Sequence, residues 1–155
     1  MSDSHDHIDN MKKVLRIMKE ENVEVVIHCG DFCSPFIINM LKDIEVPIHG
    51  VFGNVDGDKF RMMNNKPSNM TIHGEMMTLR LDGRNMAAVH FPEFADALAS
   101  SNKYDVVFHG HTHIQRVKRI GSTLLVNPGE IMNLNGNPSF AIYSTETNDV
   151  KIIEI

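Results

Sequence analysis

Apolar residues fall at helical spacing from Ile8 through Met11, Val14, Leu15 and Met18, with Lys12, Lys13, Arg16, Lys19 and Glu20 on the other faces. This predicts an amphipathic helix ending near Glu21-Asn22. Val23 to Cys29 is a short apolar run rich in β-branched residues and closed by Gly30, the pattern of a buried strand. Pro35 can open a second helix through Leu41-Lys42, and Pro47 to Phe52 reads as the next strand. Met70 to Leu81 and Asn85 to Val89 read as neighbouring strands joined through Asp82-Gly83. Phe94 to Ser101 is a short helix and Tyr104 to His109 a strand. Hairpins around Gly121-Ser122 and Asn148-Asp149 complete the chain. The alternation describes one α/β domain over residues 1–155, its early half parallel and its late half antiparallel.

Polar residues able to offer nitrogen or oxygen to a metal stand where these apolar runs stop. Asp31 follows Gly30, Asn54 follows Gly53, His90 follows Val89, and His111 and His113 follow Gly110; Asp3 and His5 stand at the start of the chain. The set comprises two carboxylates, one amide and four imidazoles. Nitrogen and oxygen donors in that mixture suit divalent transition metals, whereas calcium takes oxygen alone. In open α/β folds, loops beyond the carboxyl ends of strands converge on one crevice, so Asp31, Asn54, His90 and His111 can face a common site. Each residue alone has a plainer role. Asp31 can cap the helix at Pro35, Asn54 can sit in a Gly-Asn turn, and a single histidine is more often packed than ligating. Seven such residues, five after apolar runs and two at the chain start, point to a dinuclear metal site.

Composition narrows the class without changing it. A chain of 155 residues with 42% hydrophobic and 23% charged residues has the size and balance of a single globular domain. No apolar run approaches the roughly 20 residues of a bilayer span, and no signal-peptide pattern is expected. The net charge of −5 argues against stable nucleic-acid binding, although a positive metal site can still attract phosphate. Cys29 and Cys33 flank the Gly30-Asp31 turn and read as reduced thiols of a cytoplasmic protein.

The ordered blocks Asp3-Ser4-His5, Gly30-Asp31, Gly53-Asn54, His90 and Gly110-His111-Thr112-His113 resemble those of the calcineurin-like metallophosphoesterase superfamily. They look most like its small single-domain prokaryotic phosphodiesterases, which are related to the metallophosphoesterase-like retromer subunit. Asn127-Pro128-Gly129-Glu130 resembles the Asn-Pro-Gly turn that this branch carries after its last ligands. The resemblance implies a four-layer α/β/β/α sandwich with mixed sheets. It implies one metal on Asp3, His5, Asp31 and His113 and a second on Asp31, Asn54, His90 and His111, with Asp31 as the bridge. Catalysis would then centre on Asp31, Asn54 and His90. A hydroxide between the two cations would attack a small, nucleotide-like phosphodiester in line. Manganese is the first expectation for the metal, with nickel, iron and zinc also suited to the donors. Homodimers are common in the branch. The alternatives are a phosphomonoesterase of small metabolites, or a binding scaffold of low activity.

Three departures carry expectations of their own. Relatives with a histidine after the Gly-Asn pair use it as a general acid, whereas this chain has Val55 and then Asp56, either a helper residue or a turn residue. The branch commonly lacks that histidine too, and its absence favours diesters with acidic leaving groups. His90-Phe91-Pro92 replaces the usual His-Gly-His, which makes the pocket more apolar and predicts weaker phosphate binding or a shifted substrate preference. Only Met1 and Ser2 precede Asp3, where relatives have an apolar first strand, so the first strand reads as truncated. On that reading Asp3 and His5 hang from a mobile terminus, and the Asn54 side of the site holds its metal better. His7 is expected to cap the first helix or face solvent, and His109 to point into packing.

Overall fold

The computed structural model describes residues 1–155. Helix α1 (Ile8–Glu20) leads to β1 (Val26–His28), α2 (Pro35–Met40) with a 3-10 turn after it, β2 (Ile48–Gly50), α3 (Lys59–Asn65) and β3 (Met70–Ile72). There follow β4 (Met76–Leu81), β5 (Arg84–Val89), α4 (Pro92–Ser100), β6 (Val106–Phe108), β7 (Arg116–Ile120), β8 (Thr123–Asn127), β9 (Ser139–Ser144) and β10 (Asp149–Glu154). Three parallel strands, β1-β2-β3, form one sheet, and the β10-β9 hairpin forms a second. The third sheet is five-stranded and mixed, in the order β4-β5-β6-β8-β7.

Three apolar clusters define four layers. Met11, Val14, Ile37, Ile38 and Leu41 from the helices pack on Val26, Ile48, Met70 and Phe140. Between the sheets lie Cys29, Val51, Met77, Met86, Val106 and Phe108, and α4 covers the far side through Ala95 and Ala99 against Val107 and Leu125. The β9 residues divide by parity: Phe140 and Ile142 face the helices while Ala141 and Tyr143 face the other sheet. The hairpin therefore shares a layer with β1-β2-β3, and the whole is the expected α/β/β/α sandwich.

Several local expectations need correction. The strand expected over residues 23–29 is confined to Val26–His28. The single strand expected from Met70 to Leu81 is broken at Gly74, whose φ of 77° turns β3 and β4 into different sheets. Helix α3 carries no clear apolar period and escaped the sequence pattern; Asp58 caps it by accepting from the Arg61 N–H. The late half is not simply antiparallel, because β5-β6 and β6-β8 pair in parallel around the crossover α4. Asp82 and Gly83 both have positive φ and close the predicted β4-β5 hairpin.

The start of the chain is tied down. The Met1 amine donates to the Ile27 carbonyl, Cys29 N–H donates to Met1 O, and Asp3 N–H donates to Gly30 O. Met1 thus runs beside β1 as a strand-like stub, and Ser2 and Asp3 accept from Ile131. Beyond this stub, between β1 and β9, a cavity of about 210 Å³ is lined by Val25, Ile27, Phe108, Phe140, Ile142 and Tyr143 among others. Asp3 is fully buried at the end of the stub, so the expectation of an arm hanging loose fails. No helix is long and apolar enough to cross a membrane.

Candidate metal centre

All seven residues singled out from the sequence converge. Asp31 follows β1, Asn54 follows β2, His90 ends β5, and His111 and His113 follow β6, while the tethered N-terminus brings in Asp3 and His5. Asp3, His5, Asp31 and His113 each offer a ligand atom within 4.8 Å of the others. Next to them, Asn54 Oδ1 lies 2.9 Å from both His90 Nε2 and His111 Nδ1. Asp31 Oδ2 stands between the two groups, 3.5 Å from His5 Nε2 and 3.3 Å from His90 Nε2. Asp3, Asp31 and His90 form the buried floor, and Asn54 and His111 form an exposed mouth.

The backbone bends unusually to achieve this. Asp3, His5, Asp31, His111 and His113 all have positive φ, between 40° and 70°. Aspartate and histidine tolerate the left-handed region better than branched residues, yet a cluster of such residues marks backbone held by its surroundings. His111 and His113 are therefore aimed by two turns, not by an extended strand. Close approach needs glycine beside these residues. A Cβ on Gly53 would lie 2.1 Å from Asp31 Oδ1, and one on Gly110 would lie 1.9 Å from Ser2 Oγ and 2.6 Å from Asp3 Oδ2.

Asp56 is the structural key to two of these loops. Its buried carboxylate accepts from the backbone N–H groups of Asp31 at 3.1 Å, Cys33 at 2.8 Å and Gly53 at 2.7 Å. It therefore locks the Asp31 loop to the Asn54 loop and does not reach toward a leaving group. The Asp31 carboxylate accepts from Val55 N–H at 3.0 Å. Burial works to raise the Asp31 pKa, but the contacts with His90 and the Val55 N–H outweigh it and hold the carboxyl below its ordinary value. His28, fully buried and stacked on Phe32, is pushed well below the ordinary histidine range by burial. It bonds Ser4 Oγ and accepts from Gly30 N–H, bracing the floor beneath Asp31.

The donor chemistry fits bound cations. His90 Nδ1–H donates to Cys29 O at 2.9 Å, so a neutral imidazole turns its Nε2 lone pair toward Asn54 Oδ1 and Asp31 Oδ2, both acceptors. His113 repeats the arrangement, with Nδ1 on Glu130 Oε2 at 2.5 Å and Nε2 facing Asp3 Oδ1 at 3.4 Å. Lone pairs converging on oxygens repel unless a cation lies among them. Asp3 Oδ1 and His5 Nε2 are buried without a hydrogen-bond partner. Four buried carboxylates, Asp3, Asp31, Asp56 and Glu130, collect here, and none is paired with lysine or arginine. Buried anions need compensating charge.

Residues 1–148 match the family model of the calcineurin-like phosphoesterase superfamily domain. The chain belongs to that superfamily. Among its relatives, this phosphoesterase is 33% identical over 158 positions to Phosphodiesterase MJ0936 of Methanocaldococcus jannaschii, an alignment covering 99% of this chain and 95% of the relative. A solved archaeal phosphodiesterase superposes with a TM-score of 0.93 at 32% identity, covering 100% of this chain and 97% of the other. Vacuolar protein sorting 29 of Cryptosporidium parvum shares the fold, with a TM-score of 0.65 at 19% identity over 95% of this chain and 86% of the other.

Within the phosphoesterase site, the residues flanking the seven divide by role. His7 caps α1 by accepting from Asn10 N–H, as expected. His109 is buried, with Nδ1 beside Gly110 O, and so points into packing. Cys29 and Cys33 are free thiols, and burial pushes the Cys29 thiol up to about 11. Ser34, not Asp31, caps α2. The Phe91 ring lies 4.9 Å from that of His111 and 5.1 Å from that of His90, giving the mouth an aromatic wall. The roles of Glu130 and His28 were not legible in the sequence. His28 stands inside the apolar run of residues 23–29, whereas Glu130 follows a Pro-Gly turn, and only burial marks both.

Proposed function

We infer that this phosphoesterase is a two-metal phosphodiesterase. One cation would be held by Asp3, His5, Asp31 and His113 and the other by Asp31, Asn54, His90 and His111, with Asp31 shared. The observation that carries the reading is the position of Asp31 Oδ2 between His5 Nε2 and His90 Nε2, each within 3.5 Å. When bound, the two divalent ions acidify a water and neutralise charge developing on the phosphoryl oxygens. The rest of the work belongs to the chain. Asp31 sets the spacing between the two groups, and Asp56 fixes the loops that carry Asp31 and Asn54. His90, oriented by the Cys29 carbonyl, presents Nε2 to the site. Asn54 turns Oδ1 to the histidines, which leaves its amide nitrogen for a phosphoryl oxygen.

The substrate reading rests on what stands at the mouth. Val55 replaces a general acid after Asn54, so leaving groups that need no proton are favoured, which suits diesters with acidic leaving groups. The identity to a relative named as a phosphodiesterase supports the same class. Phe91 makes a nucleotide-like or aryl substituent a better fit than a bare monoester. Manganese is the metal proposed, with nickel, iron or zinc as substitutes suited to the same donors. A cytoplasmic location and a homodimer complete the reading, with no stable nucleic-acid partner. The test is hydrolysis of a bis-aryl phosphate and a mono-aryl phosphate in added manganese. The diester is expected to turn over at least tenfold faster by kcat/KM, and Asp31→Ala is expected to abolish both. A faster monoester reaction would favour the phosphomonoesterase alternative.

A further inference from the structure

Glu130 is a fully buried carboxylate that the reaction described above does not use. Its Oε2 accepts from His113 Nδ1 at 2.5 Å, and its Oε1 accepts from Asn135 N–H at 2.5 Å. The histidine is its sole cationic or potentially cationic partner. Three residues earlier, Asn127 Nδ2 donates to Gly110 O and to Thr112 Oγ1, both at 2.9 Å, while its Oδ1 accepts from Gly129 N–H. The Asn127–Glu130 turn thus grips the loop of His111 and His113 at both ends. It also receives the N-terminus, since Ile131 N–H donates to Ser2 O and Asp3 O.

The two histidines with fixed rings differ in what fixes them. His90 donates to a neutral carbonyl, that of Cys29, whereas His113 donates to a charged carboxylate. A carboxylate partner makes an imidazole a more basic ligand and adds a negative charge next to the ion; loss of such a partner typically weakens metal binding about 10- to 100-fold. We propose that Glu130 is a positioning residue that holds His113 Nε2 toward the site and makes the position framed by Asp3, His5 and His113 the tighter of the two metal positions. The inference rests on the two-metal reading above. It reverses the ranking expected from the sequence, in which the Asn54 position kept its metal better.

The test is calorimetric titration of manganese into metal-free full-length protein. Wild type should bind two equivalents in separable steps, and Asn54→Ala should remove the weaker. In the Asn54→Ala background, Glu130→Gln keeps an acceptor for the Asn135 N–H but loses the charge, and should weaken the remaining step at least tenfold. Glu130→Asp keeps the charge but shortens the reach, and should weaken it as well. Thermal melting of each metal-free variant separates this from a structural role. A melting temperature lowered by Glu130→Gln with manganese affinity unchanged would overturn the proposal. So would a finding that Glu130→Gln weakens the step that Asn54→Ala removes. Failure of wild type to bind a second equivalent would instead defeat the two-metal reading, and this inference with it.

Discussion

A buried carboxylate with no cation beside it is costly, so the four gathered around this site each need an explanation. Asp56 has one in its three backbone donors, Glu130 in His113, and Asp3 and Asp31 in the cations they are suited to hold. Asp56→Ala would leave three loop N–H groups without partners in a confined space. It should cost about 3 kcal/mol or more, at roughly 1–3 kcal/mol per buried unsatisfied group, and should lower manganese retention. Urea unfolding of the metal-free variant measures the first effect and elemental analysis the second; a shift below about 1 kcal/mol would mean that water replaces the carboxylate. At this scale the seven candidate residues were legible because Asp31, Asn54, His90, His111 and His113 come just after apolar runs and Asp3 and His5 stand at the chain start. Asp56 was not, since a turn aspartate before Gly57 looks the same in sequence whether it caps a loop or ties two together.

Strands here are short, and the site depends on the loops that leave them. β1, β2 and β6 contribute three residues each, so register leaves little freedom in where Asp31, Asn54 and His111 begin. Gly110 must have no side chain for the N-terminal stub to pass against the β6 exit, because a Cβ would collide with Ser2 and Asp3. Gly110→Ala is expected to displace Asp3, reduce bound metal from two equivalents toward one, and leave the far-ultraviolet dichroism unchanged. Two equivalents in that variant would show that the stub can shift without loss. The β4-β5, β7-β8 and β9-β10 hairpins and helices α1, α2 and α4 were readable from period and turn residues. The break at Gly74 and helix α3 were not. The first is a change of sheet that a single apolar run conceals, and the second has seven residues with only Met62 buried.

On the scale of the whole molecule, stability depends on pH through the buried His28. His28 is held neutral, its folded pKa well below the 6.5 of an unperturbed histidine. The unfolded chain therefore takes up a proton at His28 that the folded chain refuses, so the contribution to stability is full above about pH 6.5 and falls as the pH drops below it. Metal-free wild type should lose stability between pH 7.5 and 5.5 faster than His28→Gln does, by up to about 1.4 kcal/mol per pH unit below 6.5. Urea midpoints of both proteins at the two pH values check this, and equal losses would show that His28 is not held neutral. The four-layer order was legible at this scale because motif order carries it. How the N-terminus docks was not, since it depends on backbone bonds from Met1 to Ile27 and Cys29 that no side-chain pattern encodes.

In the two-metal proposal, Asp31 joins two metal positions in one site. The decisive experiment is elemental analysis of bound manganese per chain for wild type, Asp31→Ala and Asn54→Ala in parallel. Two equivalents in wild type, one in Asn54→Ala and none in Asp31→Ala are the predicted result. A single equivalent in wild type that survives Asn54→Ala, or two equivalents that survive Asp31→Ala, would contradict it.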